Sequence, residues 1–198
     1  MARSSRQSAR QLAQLAQEQG GYFTSKQALE AGYDYPHLLY HLSAGNFDRV
    51  EHGLYRLAVV PVSEHDELIR LSLWSRNRGD EPQAVVSHET ALVLHGLSEL
   101  LPGEVHLTVP RGFRKAAPPG CVLHRAKLGP EDVREGEGYR LTAPLRTLTD
   151  VAGSGVSSEQ LGKAARDAIA RGLITREALA RAIRESRFGE RLRTAVSG

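Results

Sequence analysis

The sequence of 198 residues contains a single cysteine, Cys121. One cysteine excludes an intramolecular disulfide and any multi-cysteine metal cluster. The chain also lacks an uninterrupted run of about 18 apolar residues, which excludes a transmembrane helix. Its basic start is followed by polar Gln7-Ser8, where a signal peptide needs an apolar stretch. We therefore expect a protein of the reducing cytoplasm.

The motifs of several enzyme classes are missing as well. No P-loop and no dinucleotide-binding fingerprint occurs. Gly153-Ser154-Gly155 is not followed by the spaced carboxylates that a two-metal nucleotidyltransferase needs. Glu104-Val105-His106 lacks the lysine of a nuclease Glu-x-Lys pair. The sequence therefore predicts that the protein is not an enzyme.

The histidines do not indicate a catalytic or metal site either. Ser87, His88, Glu89 and His95 suggest a hydrolase, but Ser87 and Glu89 are typical of the start of a helix. The eight histidines are scattered along the chain, and the adjacent side chains of His65-Asp66 diverge. We expect no cofactor and no metal ligand.

Positive charge is concentrated in part of the chain, although the net charge is only +3. The segment from Val105 to Pro130 contains five basic residues and no acidic residue. This segment predicts a second basic surface that binds nucleic acid or the acidic face of a partner, with a solvated loop as the alternative. Its residues are Arg111, Arg114, Lys115, Arg125 and Lys127.

The first sixty residues have the pattern of three short helices followed by a β-hairpin. Helical spacing of apolar residues predicts a helix over residues 8–19, and Thr24 with Gln27 forms a capping-box pattern for the second helix. The third helix begins near Asp34 or Tyr35 and carries Leu38, Leu39 and Leu42 as its apolar stripe. Strands at residues 47–50 and 54–57, joined through Gly53, complete a winged helix-turn-helix.

A winged helix directs polar side chains of its third helix and wing toward a DNA duplex. Tyrosine, histidine and the basic residues can donate hydrogen bonds to phosphates or base edges. Tyr55 is expected in the core beneath the wing, whereas Arg3, Arg6 and Arg10 are candidates for a leading arm. The predicted DNA-binding residues are Lys26, Tyr35, His37, Tyr40, His41, Arg49, His52 and Arg56.

The rest of the chain predicts an α/β region with C-terminal helices. Strands are expected at residues 84–86, 104–110, 121–128 and 139–142, with Cys121 buried and inert. Helices are expected over residues 64–78, 87–97, 145–152, 158–171 and 175–187, and the last ten residues are expected to be frayed. The fold class is therefore α+β, with a winged helix-turn-helix domain at 1–60 and a mixed α/β domain at 61–198.

These motifs, taken in order, resemble a known family. The segment Gly21–Ala28, the run Leu38–Leu42 and the wing Arg49–Leu57 are similar to the winged helix of AbiEi-family antitoxins. Later motifs continue the resemblance to about residue 180: Val86–Ala91, Leu94–Leu97, Val105–Pro110 and Arg146–Ala152.

The resemblance implies the antitoxin and transcriptional repressor of a type IV toxin–antitoxin or abortive-infection system. It implies binding to inverted repeats in its own promoter, and neutralisation of a nucleotidyltransferase toxin without a tight complex. Two copies would then occupy one operator. The alternative is a winged helix that binds protein without sequence-specific DNA binding. The absence of Lys and Arg between Lys26 and Arg49 favours this alternative.

Overall fold

A computed structural model describes residues 5–99 and 101–197. The chain divides into two compact units. The first unit runs to Trp74 and also contains Glu137–Tyr139. The second unit contains Ser75–Gly136 and the chain from Arg140 onward. The predicted α+β class with an N-terminal winged helix is confirmed.

Within its described residues, the first unit contains four helices and a three-stranded antiparallel sheet in the order β1-β3-β2. Strand β3 pairs with both other strands, so the wing hairpin is joined directly to the strand that follows the first helix. The elements are α1 (Ser5–Glu18), β1 (Tyr22–Thr24), α2 (Ser25–Glu30), α3 (Tyr35–Ser43), β2 (Phe47–Glu51), β3 (Leu54–Leu57) and α4 (Asp66–Trp74).

Side-chain caps fix where α2 and α3 begin. The Thr24 hydroxyl accepts from the Gln27 backbone N–H while the Gln27 side chain accepts from the Thr24 N–H, which is the predicted capping box. Asp34 caps α3 by accepting from the His37 N–H, and Pro36 occupies the first turn. The start of the third helix is therefore set by local chemistry.

Aromatic rings form the core of the first unit. Phe23 is completely buried, with the Phe47 ring at 5.0 Å in an edge contact and the Tyr55 ring at 5.7 Å in a stacked one. The predicted burial of Tyr55 is confirmed. Leu38 is buried as predicted, but the prediction for Leu39 is wrong, because 45% of this residue is exposed. Only one side of the helix faces this small core, and consecutive residues lie about 100° apart around a helix.

Polar contacts attach α4 to the winged helix. The Tyr22 hydroxyl donates to Asp66 at the start of α4, and burial raises the pKa of Tyr22 to about 12. Arg70 of α4 forms an ion pair with Glu51 of the wing strand. Helix α4 is shorter than predicted, because the Ser75 hydroxyl accepts from the N–H groups of Gln83 and Ala84 and the chain turns there.

The second unit contains a five-stranded mixed sheet in the order β6-β5-β4-β8-β7. Strand β5 is parallel to β6, β4 is parallel to β8, and the pairs β4–β5 and β7–β8 are antiparallel. A 3-10 turn at Pro130–Asp132 precedes β7. The elements are β4 (Val85–Val86), α5 (His88–Leu94), β5 (Val105–Val109), β6 (Cys121–Arg125), β7 (Val133–Glu135) and β8 (Arg140–Thr142).

Helices α6 (Pro144–Val151), α7 (Ser158–Ala170), α8 (Arg176–Glu185) and α9 (Gly189–Ser197) complete the second unit. The prediction of frayed final residues is wrong, because α9 places Leu192 and Ala195 in the core. Gly162 of α7 makes room for this helix, since a Cβ there would overlap the Ala195 carbonyl. Cys121 is buried as predicted.

Candidate nucleic-acid interface

Three predicted residues of α3 present their side chains to solvent. Tyr35 is 68% exposed and Tyr40 is 65% exposed. The His37 side chain is also exposed, with Nδ1 at 3.2 Å from the Asp34 carboxylate. Exposed hydroxyl and imidazole groups on one helix can donate to phosphate oxygens or read base edges.

His41, the fourth residue predicted on α3, packs against the protein. Its ring stacks on Phe47 at 4.7 Å and meets the edge of Tyr33 at 5.3 Å. The Asn46 side-chain amide lies 3.1 Å from His41 Nδ1. Burial, together with repulsion from His37, lowers the pKa of His41. His41 therefore holds the end of α3 against β2 and exposes only part of its ring.

The wing presents Arg49 and His52, both of which are exposed. The pairing of β2 with β3 is irregular between Arg49 and Glu51, and Gly53 turns the chain at φ +77°. The Gly53 carbonyl accepts from the Ser25 N–H at 2.9 Å, which ties the wing to the start of α2. The tip of the wing is therefore held in place by backbone contacts.

Helix α3 and the wing line one open cleft of about 330 Å³. Tyr35 comes from the helix, and Arg49 and His52 come from the wing. Leu29 and Leu39 also line it and are 65% and 45% exposed, although the sequence pattern predicts both side chains to face inward. The cleft brings three predicted DNA-binding residues to one surface.

The remaining predicted contacts of the first unit differ in exposure. Lys26 is half-exposed, with Nζ at 3.9 Å from Glu30. Arg56 is mostly covered, because it pairs with Asp48 at 3.0 Å and donates to the Val60 carbonyl. Arg6 and Arg10 are exposed on α1, and Arg3 lies outside the described residues.

All five residues of the second basic surface are exposed. Arg125 ends β6 opposite Val109 of the parallel strand β5, and Arg111 follows β5 closely. Arg111, Arg125 and Lys127 therefore gather at the carboxyl ends of two parallel strands, where many α/β proteins bind ligands. Lys115 donates to the Arg76 carbonyl at 2.9 Å, and burial lowers its pKa.

The polar residues around α5 have structural partners. Ser87 does not cap α5 with its side chain as predicted, because its hydroxyl accepts from Thr108 at 2.8 Å and lies 2.9 Å from His88 Nδ1. His95 Nε2 donates to the Thr142 carbonyl at 2.7 Å. His95 therefore bonds to a backbone carbonyl, whereas Ser87 bonds to Thr108 and contacts His88.

Residues 10–58 match the sequence model of the AbiEi antitoxin family of transcriptional regulators. The match begins within α1 and ends just after β3, and therefore includes the second and third helices and the wing. It confirms the AbiEi resemblance over this segment. The exposed face of α3 and the wing thus lie within the segment that matches this family.

The fold of the whole chain is similar to a solved structure, that of the RV2827C protein from Mycobacterium tuberculosis. The TM-score is 0.56 at 16% sequence identity, and the alignment covers 100% of this chain and 78% of that chain. At this identity the likeness concerns the fold alone. No curated protein matches the sequence. Within the described residues, no helix combines the length and apolar character needed to cross a membrane.

Proposed function

We propose that this protein is a DNA-binding repressor of its own operon and the antitoxin of a type IV toxin–antitoxin system. One observation carries the proposal: the exposed end of α3 and the wing line one open cleft within the segment that matches the AbiEi family. A surface that joins a recognition helix to a wing suits a duplex, because the helix enters the major groove while the wing follows the backbone.

Side chains of α3 and of the wing contact different parts of the DNA. Tyr35, His37 and Tyr40 contact base edges and adjacent phosphates, since they are exposed along α3. Arg49 and His52 bind phosphates from the wing, where the guanidinium of Arg49 releases condensed counterions. Specificity comes from α3, and much of the affinity comes from the basic side chains.

The operator contains an inverted repeat, and two copies of the chain occupy it. The functional partner is a nucleotidyltransferase toxin that the antitoxin neutralises without a stable complex, in the cytoplasm. The second basic surface at the carboxyl ends of β5 and β6 is exposed and available for nucleic acid or for an acidic partner.

The proposal is tested with the full-length protein and the DNA upstream of its gene. Fluorescence anisotropy should show binding that is tighter than to a shuffled duplex and that weakens steeply as salt rises. Tyr40→Ala should reduce the preference for the promoter, whereas Glu159→Ala on α7 serves as an exposed control. Equal affinity for both duplexes would contradict sequence-specific repression.

The antitoxin role needs a separate experiment. A nucleotidyltransferase encoded beside this gene should arrest growth when expressed alone, and co-expression of this protein should restore growth. Arrest that persists despite normal levels of both proteins would contradict the antitoxin role and leave the DNA-binding test unaffected.

A protein-binding winged helix is the second candidate, and the exposed apolar side chains of Leu29 and Leu39 favour it. Exposed apolar side chains that line a surface cleft are typical of protein–protein contacts. On this alternative, Leu39→Ser abolishes partner binding while promoter DNA shows no salt-dependent association.

A further inference from the structure

The second unit brings three histidines together from three different elements. His88 is the first residue of α5, His106 lies on β5 and His124 lies on β6. The register of the parallel strands places His106 opposite Val122 and Thr108 opposite His124, so the two histidines are near neighbours across the sheet. Each histidine lies eighteen positions after the one before it, so these residues have no close ligand spacing in the sequence.

One ring nitrogen from each histidine lies within 4.8 Å of the others. His106 Nδ1 and His124 Nε2 are 3.0 Å apart, and the rings of His88 and His124 stack at 3.5 Å. Two nitrogens on a tetrahedral zinc ion lie about 3.4 Å apart, given Zn–N bonds of about 2.0–2.1 Å. The 3.0 Å between His106 Nδ1 and His124 Nε2 is close to this value, and His88 contributes a third nitrogen within 4.8 Å of both.

A buried carboxylate faces the same group. Glu89 Oε2 lies 3.3 Å from His106 Nδ1 and has no hydrogen-bond partner. A buried carboxylate oxygen without a partner is costly, and a cation beside it would offset that cost. It also supplies negative charge that three neutral imidazoles lack.

Contacts outside the cluster orient the imidazole of His88. A neutral imidazole offers a metal ion one ring nitrogen with a free lone pair. The Thr108 hydroxyl donates to Ser87, which in turn contacts His88 Nδ1. Such outer contacts orient the ring of a metal-binding histidine.

We propose that His88, His106 and His124 bind a divalent transition-metal ion of the zinc class, with Glu89 balancing its charge. Imidazole nitrogens with a carboxylate suit zinc, cobalt and nickel better than the oxygen-seeking calcium and magnesium. His88 and His124 line an open cleft, through which an ion can enter and a water can complete the coordination. The bound ion would join α5, β5 and β6.

The test uses purified full-length protein after removal of metals with a chelator. Titration with Co²⁺ should produce the visible absorption of tetrahedral or five-coordinate cobalt, and this absorption should saturate at one equivalent of Co²⁺. Added Zn²⁺ should displace the Co²⁺ and abolish the absorption. Zn²⁺ should also raise the melting temperature. The variants His88→Asn and His124→Asn should weaken Zn²⁺ binding at least tenfold. Asparagine suits position 88, because His88 has the left-handed backbone angle φ +51°.

His37→Gln is the matched control. His37 is exposed and lies one helical turn from His41, so this pair could also bind a metal ion, and the variant removes that competing site. This variant should retain the tight site. Chemical modification of histidines locates the metal site without any mutation. In the wild type, Zn²⁺ should protect His88, His106 and His124 from modification by diethylpyrocarbonate. Absence of Co²⁺ absorption, or protection only at His37 and His41, would overturn the proposal.

Discussion

Arg49 and Arg56, the two arginines of the wing strands, differ in their contacts with the rest of the protein, and we therefore expect different contributions to DNA binding. Arg49 is exposed beside the cleft, whereas Arg56 is held by Asp48 and the Val60 carbonyl. We expect Arg49→Ala to weaken promoter binding about three- to tenfold and to reduce the slope of log K against log salt by about 0.9. Arg56→Ala should change the slope less. Anisotropy titrations at several salt concentrations distinguish the two, and equal slopes for both variants would contradict this assignment.

The histidines of α3 predict a pH dependence of DNA binding. A histidine ordinarily titrates near pH 6.5, and a protonated ring attracts phosphate. Promoter affinity should therefore be higher at pH 6 than at pH 8. His37→Gln should reduce this difference, and the double variant His37→Gln/His52→Gln should reduce it further, because His52 of the wing also faces phosphate. His41→Gln should leave it, since burial lowers the pKa of His41 and its ring takes up a proton only at lower pH. Identical affinities of the wild type at both pH values would refute the prediction.

His95 predicts a pH dependence of stability. Burial lowers its pKa in the folded protein, where Nε2 donates to the Thr142 carbonyl. Below about pH 6.5 the unfolded chain binds the proton and the folded chain does not, so the free energy of unfolding falls as the pH falls. One such group contributes at most about 1.4 kcal/mol per pH unit. Urea unfolding between pH 7.5 and 5 should show a shallower decline for His95→Gln than for the wild type, with His37→Gln as the exposed control.

Single residues with local signals could be predicted from the sequence. Thr24 with Gln27 and Asp34 act through bonds to backbone groups within three residues. The structure confirms the predicted capping box of Thr24 and the predicted start of the third helix beside Asp34. Leu39 and Ser87 could not be predicted in this way. Their environment depends on which neighbour lies across the core, and for Ser87 that neighbour is Thr108, twenty-one residues away.

At the scale of elements, the close packing of α7 on α9 gives a stability prediction. A Cβ at Gly162 would overlap the Ala195 carbonyl, and backbone cannot move aside as a flexible side chain can. Gly162→Ala should therefore destabilise the protein by about 1–3 kcal/mol, despite the better helix propensity of alanine. Thermal and urea unfolding measure this loss. Gly155→Ala is the control, because open space surrounds Gly155, and an equal stability of both variants would show that the contact is not strained.

Long amphipathic elements were predictable, but short or terminal ones were not. Helices α7 and α8 carry regular apolar spacing and begin at capping residues Ser157 and Thr175. Strand β7 has only three residues, too few to show alternation. Helix α9 is polar except for the few residues that it buries, and its partner groove exists only after α7 has folded.

At the scale of the whole molecule, the proposed repressor should bind its operator as two copies. Each winged helix reads one half of an inverted repeat, and half-sites on one face of DNA are about 10–10.5 base pairs apart. Native mass spectrometry of the promoter complex should show two chains per duplex, and a duplex with one half-site should bind a single chain. A single chain on the intact repeat would contradict this arrangement.

The order and direction of the strands in the second sheet could not be predicted from the sequence. Hydropathy patterns predicted strands at 104–110 and 121–128, but they do not say that these strands run parallel. Their parallel register brings His106 and His124 together and places Arg111 near Arg125. The domain boundary at residue 60 stays a prediction, and α4 is joined to the winged helix by Tyr22.

The short segment Glu137–Tyr139 belongs to the first unit, although the residues on both sides belong to the second. Tyr139 is buried with its ring edge-on to His65, and Gly138 fits closely beside Gln19 and Ile69. The polypeptide thus contributes twice to the same small unit. A gene fragment that stops after residue 74 would omit a piece of its own interior. A recombination event with a single crossover between residues 74 and 137 would likewise separate Tyr139 from His65. A chimeric protein that contains this winged helix must therefore also contain Tyr139, or the unit loses part of its packing.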